Sequence, residues 1–105
     1  MGIVLVLTYG IKSEKHAEWE AFYKGKFAKF MTSKKNKGLI SWRLFEQEYG
    51  GVAGTYVEMY EFKSMKDLRK SDLLEPKWFK EFMTEWHKIK DQHTPVTKSI
   101  WNTVV

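Results

Sequence analysis

The segment Ile3–Tyr9 constrains the fold more than any other part of the sequence, because its apolar side chains occupy consecutive positions. Aliphatic residues run from Ile3 to Leu7 and are followed by Thr8 and Tyr9. Successive side chains of a strand point to opposite faces of a sheet, so this run is typical of a strand buried on both faces. Any fold that contains it must supply apolar cover on both sides of the sheet.

A long amphipathic helix is predicted next, over residues 14–35. Ser13 is a candidate N-cap. Gly38 follows a lysine-rich segment that suits a helix C-terminus, and it is a candidate for a left-handed cap. The apolar residues recur at spacings of three and four, as expected for one buried helix face. They are Trp19, Phe22, Tyr23, Phe27, Phe30 and Met31.

Two further strands are predicted over residues 39–47 and 55–62, joined by a glycine-containing turn. Ser64 and Asp67 resemble a capping box, which predicts a short helix to about residue 74. Pro76 suits the first turn of a second helical segment. The apolar face of that segment comprises Phe79, Phe82, Met83, Trp86 and either Ile89 or Lys90. A last strand is predicted over residues 99–105.

The predicted order of elements is β-α-β-β-α-β, which indicates an α+β, ferredoxin-like single domain over residues 1–105. Such a domain is a four-stranded antiparallel sheet with both helices on one face. The helices cannot cover the other face, which would leave apolar strands bare. We therefore expect a homodimer that packs sheet against sheet. A monomer whose open face binds a flat aromatic or anionic partner is the alternative.

The charge composition argues against nucleic-acid binding. The chain has 18 basic and 13 acidic residues, a net charge of +5, but only Arg43 and Arg69 are arginines. Arginine is the usual bidentate reader of phosphates and bases. The segment from Gly54 to Tyr60 faintly resembles the third strand of RNA-recognition domains. Its Glu58 would repel phosphate, as would Glu61.

The absence of cysteine excludes disulfides, thiolate metal sites and cysteine nucleophiles. The longest apolar run, Ile3–Leu7, is too short to span a bilayer, and no signal segment precedes it. We therefore expect a cytoplasmic protein without a membrane segment. The many Lys and Glu residues also fit the composition of a thermophile.

Several segments together resemble a known superfamily. They are the strand and helix start from Val4 to Trp19, the segments Lys37–Leu44 and Tyr56–Leu68, and the helical run from Trp78 to Phe82. The chain resembles the dimeric α+β barrel superfamily, and most of all its antibiotic biosynthesis monooxygenase-like branch. The resemblance implies a homodimer with a pocket between sheet and helices in each subunit. The activities it implies include cofactor-independent oxygenation of polycyclic aromatics, haem degradation and lactone isomerisation, and the fold alone does not choose among them.

The haem-degrading branch of the same superfamily fits less well. In that branch, as this resemblance has it, the haem-ligating histidine ends a helical Phe-Lys-Glu-Ala-His run. In this sequence Met83 stands at that position, the first strand has no Asn, and Leu73 falls where a Trp would lie. The resemblance argues against haem degradation, unless His87 takes over as the ligand.

Four polar residues are candidates for catalysis: His87, Arg43, Glu58 and Tyr9. His87 is a candidate general base, with Asp91 four residues later to orient its ring. An exposed helix histidine is the alternative. Arg43 and Glu58 are charged residues within strands, where charges need partners. They either form a buried ion pair, or one of them enters the pocket beside Tyr60 or Tyr9. The family usually has an apolar residue near position 58.

The aromatic excess, 16% of residues with five Trp, favours a pocket for a flat apolar ligand, although core packing gives the same pattern. The candidate ligand-binding residues are Trp19, Tyr23, Tyr60, Phe82, Met83, Trp86 and Trp101. Together with these residues, the resemblance to the monooxygenase-like branch implies oxidation or isomerisation of a small aromatic or quinone-like substrate. No cofactor and no metal are expected, because the three histidines lack a metal-binding spacing. The alternative is a homodimer that binds a small ligand without catalysis.

Overall fold

A computed structural model describes residues 2–32, 37–48, 55–71, 87–89 and 96–104. Its centre is a four-stranded antiparallel sheet of β1 (Ile3–Gly10), β2 (Leu39–Glu46), β3 (Thr55–Phe62) and β4 (Thr97–Asn102), in the spatial order β2-β3-β1-β4. β1 and β3 are the inner strands, and each pairs with a strand on either side. The predicted ferredoxin-like order and antiparallel sheet are confirmed. β4 begins two residues earlier and ends three residues earlier than the sequence predicts.

The first helical region is not the uniform helix that the sequence predicts. It begins with a 3-10 turn (Ser13–Lys15), continues as α1 (His16–Phe22), widens into a π-helical segment (Tyr23–Phe27) and returns to α-helix as α2 (Ala28–Met31). Ser13 does not cap it, because its hydroxyl donates to Glu14 instead of accepting from the backbone. The predicted helix end near residue 35 lies outside the described residues.

The π-helical segment explains how one face of this helical region stays against the sheet. Trp19, Tyr23, Phe27 and Met31 recur at every fourth residue, and all four are buried. In a regular α-helix each step of four residues rotates the side chain by about 40° around the axis. The wider π turn reduces this rotation. The stripe predicted from the sequence is confirmed for these four residues, while Phe22 is half-buried and the side chain of Phe30 is not described.

The second helical region is described in part. α3 (Met65–Lys70) begins at Ser64, whose hydroxyl accepts the backbone N–H of Asp67 at 3.2 Å, which confirms the predicted cap. Residues 87–89 are also helical, and Ile89 is buried in the core. The carbonyl of Ile89 accepts the backbone N–H of Lys12, which docks this turn beside the end of β1. Most of the predicted segment from residue 76 lies outside the described residues.

The core lies between the helices and one face of the sheet, which we call the inner face. The rings of Tyr9 and Trp19 meet at 5.5 Å, and those of Phe27 and Tyr60 at 6.2 Å. Leu68 of α3 and Ile89 belong to the same buried cluster. Both helical regions therefore pack on the inner face, as predicted.

The opposite, outer face follows from the strand register and alternation. It comprises Val4, Val6, Thr8, Ser41, Arg43, Phe45, Val57, Met59, Glu61, Thr97, Ser99 and Trp101. Phe45 and Trp101 are 43% and 53% exposed in the single chain. Strict alternation of side chains along β2 predicts Ile40 on the same face as Trp42 and Leu44, but an irregularity between Leu39 and Ser41 shifts the register. Leu39 therefore packs on the core in its place, and Ile40 is exposed.

Gly38 occupies a backbone position that other residues rarely adopt. Its φ is +90°, and a Cβ there would lie 2.5 Å from Cγ of Asp67. We predict that Gly38→Ala lowers the free energy of unfolding by about 1–3 kcal/mol, the usual cost of a strained backbone position. Gly25→Ala is the matched control, because no heavy atom lies within 4 Å of its Cβ position. It should raise stability by about 0.5–1 kcal/mol, as expected inside a helix. Equal urea midpoints for the two variants would contradict this account of Gly38.

Candidate functional site

A buried carboxyl group, that of Glu58, lies at the centre of the inner face. It sits on β3 opposite Leu7 of β1 and Leu44 of β2. Its side chain points into the core, and the residue is 5% exposed. The hydroxyl of Tyr9 donates a hydrogen bond to one carboxyl oxygen, and the hydroxyl of Tyr60 donates to the other. Glu58 is thus held from both sides by tyrosines of the two central strands.

Burial controls the ionisation of this group. Loss of hydration disfavours the charged form and raises the pKa of Glu58 to about 7, while the hydrogen bond from Tyr9 acts in the opposite direction. Burial, together with the adjacent Glu58, raises the pKa of Tyr9 well above its usual range. Tyr9 therefore remains a hydrogen-bond donor at any ordinary pH. Glu58 is a carboxyl group that exchanges a proton near neutrality, which is the requirement for a general base or acid.

Tyr23 connects this carboxyl group to a pocket. Its ring stacks on Phe27 at 4.8 Å and meets Trp42 edge-on at 5.7 Å. Burial and the charge of Glu58 both raise the pKa of the Tyr23 hydroxyl. That hydroxyl is buried, and within the described ranges it has no hydrogen-bond partner. Tyr23 is 5% exposed, yet it forms part of the pocket wall.

The pocket lies between the first helical region and strands β2 and β3 and has a volume of about 570 Å³. This is within the usual range for small-molecule sites. Its wall consists of Glu20, Tyr23, Lys24, Ala28, Trp42, Leu44, Glu46 and Tyr56. Three of these residues are aromatic, and two are carboxylates. The pocket can therefore hold the flat apolar body of a ligand and offer hydrogen-bond acceptors at its polar part.

The polar part of the pocket is organised around Tyr56. The Tyr56 oxygen lies 2.9 Å from a carboxylate oxygen of Glu20 and 2.9 Å from one of Glu46. Burial and the hydrogen bonds to both carboxylates raise the pKa of Tyr56. His16 completes the group, with Nδ1 3.4 Å from Glu46 and Nε2 3.2 Å from the carbonyl of Ile11.

The structure brings together four of the residues selected from the sequence. Tyr9, Glu58 and Tyr60 form the buried hydrogen-bonded cluster, and Tyr23 links it to the pocket. Trp19 packs edge-on against Tyr9 as a core residue. Of the two alternatives for Glu58, the structure shows the one beside Tyr60 and Tyr9, although Glu58 is not among the residues that line the pocket.

Other selected residues lie elsewhere. Arg43 faces Met59 on the outer face and is exposed. The Arg43–Glu58 ion pair, one of the two alternatives, therefore does not form, because adjacent β2 residues point to opposite faces and Leu44 stands opposite Glu58. Trp101 pairs with Val4 on the outer face, so its predicted place in the pocket is also wrong. His87 is exposed, and Ile89 is the residue of its turn that enters the core. Phe82, Met83, Trp86 and Asp91 lie outside the described residues.

Sequence reasoning missed Glu20, Glu46 and Tyr56. Glu20 follows the buried Trp19 and reads as part of the hydrophilic helix face, and Glu46 ends a strand. A signal existed on β3, where Tyr56, Glu58 and Tyr60 alternate and therefore share one face. The helical packing that brings Glu20 over that face could not be read from the sequence.

The described residues contain no group of three His, Cys, Asp or Glu side chains that could hold a metal ion. Among the helices of these ranges, none combines the length and the apolar composition that crossing a membrane requires.

Comparison with known proteins identifies the fold. No protein-family model matches the chain, and a search of curated protein sequences finds no significant match. Solved structures do match over nearly the whole length. A conserved protein from Methanosarcina mazei superposes with a TM-score of 0.71 at 17% identity, covering 99% of this chain and 94% of that one. A NIPSNAP family protein from Agrobacterium tumefaciens gives the same TM-score, identity and coverage.

SnoaB, a cofactor-independent oxygenase from Streptomyces nogalater, superposes with a TM-score of 0.68 at 15% identity, covering 99% of this chain and 94% of that one. These matches confirm the predicted fold, an α+β, ferredoxin-like domain with a four-stranded antiparallel sheet. At such identities the likeness concerns the fold, and function must be argued from the site.

Proposed function

We propose that this chain, which has the fold of the dimeric α+β barrel superfamily, oxidises or isomerises a small aromatic or quinone-like substrate without a cofactor. The observation that carries the proposal is the Glu58 carboxyl group, buried between the Tyr9 and Tyr60 hydroxyls behind an aromatic pocket. A carboxyl group with a pKa of about 7 can accept a proton from a weakly acidic aromatic substrate at neutral pH.

The reaction that fits this group begins with proton removal. Tyr23 lines the pocket, and the charge of Glu58 acts on its hydroxyl, so a proton could pass inward through Tyr23 once this hydroxyl turns to donate to Glu58. In the oxygenase case, an aromatic compound with an acidic CH₂ group loses a proton, and the carbanion reacts with O₂ to give a hydroperoxide. Loss of water leaves a carbonyl group. One O₂ is consumed for each C=O formed, and its second oxygen atom leaves in water.

The isomerase case uses the same base without oxygen. Glu58 removes a proton from one carbon of the substrate and returns it to another, so that no net oxidation takes place. The match to SnoaB, a cofactor-independent oxygenase, supports the oxygenase case, because that protein shares this fold over nearly its whole length.

We predict oxygen uptake when the protein is incubated with anthrone, whose ring CH₂ group is acidic, with one C=O formed for each O₂ consumed and the product identified by mass spectrometry. Glu58→Gln should lower the rate by at least about a hundredfold, as loss of a general base does. The wild-type rate should rise with pH up to about pH 7, because proton removal needs the ionised carboxylate. Glu18→Gln, which alters an exposed carboxylate on α1, is the matched control and should keep the wild-type rate. Equal rates for the two variants would contradict the proposed role of Glu58.

A non-catalytic ligand-binding protein is the second candidate, and one observation favours it. Glu58 is 5% exposed and does not itself line the pocket, as expected of a carboxyl group that serves only the core. In that case the pocket binds aromatic compounds saturably, no oxygen is consumed, and the ligand is recovered unchanged. Calorimetric titration in parallel with the oxygen measurement separates the two candidates.

We also propose that a second copy of the chain covers the outer face. The chain has a net charge of +5, yet the charged residues of this face are one of each sign, Arg43 and Glu61. A two-fold symmetric contact places this patch against itself, so a patch without net charge avoids like-charge repulsion there. The exposed Phe45 and Trp101 supply the large apolar side chains that such interfaces bury.

A further inference from the structure

The carboxylate of Glu20 is a second polar feature of the pocket, and it shares one hydrogen-bond donor with the carboxylate of Glu46. Glu20 shares the hydroxyl of Tyr56 with Glu46, and both distances are 2.9 Å. A tyrosine hydroxyl has one hydrogen to donate, so it satisfies one of these two acceptors at a time. The two carboxylate oxygens are no farther apart than twice that distance, and both residues line the pocket.

The nearby cations do not balance the two carboxylates equally. Nε2 of His16 faces the carbonyl of Ile11, which can only accept, so this nitrogen carries a hydrogen. Nδ1 then pairs with Glu46 when the ring is protonated. Lys24 lines the pocket, but within the described part of the chain no ion pair joins it to Glu20. Glu20 is thus the carboxylate to which a cationic group of a ligand can still donate a hydrogen bond.

The surroundings of Glu20 suit a positive charge on an aromatic body. Trp42 and Tyr23 form the aromatic wall of the same pocket, and aromatic faces attract cations. Tyr23 offers its ring to this pocket, because its hydroxyl is buried and has no partner in the described ranges. A ligand carboxylate would meet Glu20 and Glu46 as a like charge and be disfavoured.

We infer that the pocket contains a cation subsite, in which Glu20 and Tyr56 receive the protonated amine of an aromatic ligand. The ammonium group donates to the carboxylate of Glu20, which frees the Tyr56 hydroxyl to donate to Glu46. The aromatic body of the ligand lies against Trp42 and Tyr23. The inference rests on the proposed function, because it assumes that the pocket binds a small aromatic molecule.

Calorimetric titration with three naphthalene derivatives of equal size tests the inference. They are naphthylmethylamine, which is cationic, naphthylmethanol, which is neutral, and naphthoate, which is anionic. We expect the amine to bind at least about tenfold more tightly than the alcohol, the usual gain from a charge-assisted hydrogen bond, and naphthoate to bind most weakly. The net charge of +5 works against this order, so the preference must come from the pocket.

Glu20→Gln should remove the advantage of the amine and leave the alcohol unchanged. Glu18→Gln, which removes the same charge from an exposed position on the same helix, should keep it. Thermal midpoints of both variants verify folding. Equal affinities for amine and alcohol in the wild type, or a preference that survives Glu20→Gln, overturn the subsite while the pocket stands. Failure of all three compounds to bind overturns the proposed aromatic pocket as well.

Discussion

The protein should lose stability as the pH rises from about 5 to about 8, and Glu58→Gln should abolish much of this loss. The folded-state pKa of Glu58 is raised from 4.5 to about 7. Between these values the folded chain holds a proton that the unfolded chain has released, so stability is present at low pH and falls as the pH increases. The shift corresponds to about 3 kcal/mol, since one pKa unit is worth about 1.4 kcal/mol.

Urea unfolding at a fixed protein concentration, repeated across this pH range, measures the effect. Glutamine keeps the shape of the side chain but cannot ionise, so the variant should gain about 3 kcal/mol relative to wild type between pH 5 and pH 8. Glu18→Gln, at an exposed site, should follow the wild-type curve. Parallel curves for wild type and Glu58→Gln would mean that Glu58 is not held in its uncharged form.

The second large effect concerns assembly. We expect the wild-type protein to have a solution mass of twice 12.5 kDa, and Trp101→Glu to have a mass of 12.5 kDa. Trp101 is 53% exposed in the single chain, so its replacement should leave the fold intact. In a symmetric dimer each substitution is present twice, and buried unpaired carboxylates cost several kcal/mol. The dissociation constant should rise by at least about a thousandfold.

The sequence offers a close control for this experiment. Ile100 is the neighbour of Trp101 and is 43% exposed, but it points to the other side of the sheet. Ile100→Glu should therefore remain a dimer, whereas Phe45→Glu, on the far side of the outer face, should dissociate. Multi-angle light scattering over a concentration series reads the mass directly. A wild-type monomer at all concentrations, or equal effects of Ile100→Glu and Trp101→Glu, would contradict the proposed interface.

The fold could be predicted because each main element has a local signature. The apolar run of β1, the alternation in β3 and the stripe of Trp19, Tyr23 and Phe27 are set by residues close together in the sequence. The errors fall where a neighbouring element decides. Ser13 has the chemistry of a cap, but the chain enters a 3-10 turn there. An irregularity in the pairing of β2 turns Ile40 away from the core, and no residue type in this segment indicates it.

The candidate site was predicted in part for the same reason. A charge within a strand needs a partner, which makes Glu58 a candidate from the sequence alone, and its partners Tyr9 and Tyr60 are candidates too. Whether Glu58 meets Arg43 or the tyrosines depends on the register of β2 against β3. That register is set by the sheet as a whole and not by any single segment. Glu20 and Glu46 were missed because they meet only when the first helical region packs across β3 onto the end of β2.

The ionisation of Glu58 is the most direct test of this account, because both the stability profile and the proposed chemistry depend on it. Nuclear magnetic resonance of protein labelled with carbon-13 at the glutamate carboxyl groups follows each group through a pH titration. We predict one glutamate signal with a pKa of about 7, and this signal should be absent from Glu58→Gln. In Tyr9→Phe the pKa of Glu58 should rise further, because the hydrogen bond from Tyr9 lowers it in the wild type. A Glu58 carboxyl group that titrates near 4.5, as an exposed glutamate does, would contradict the account.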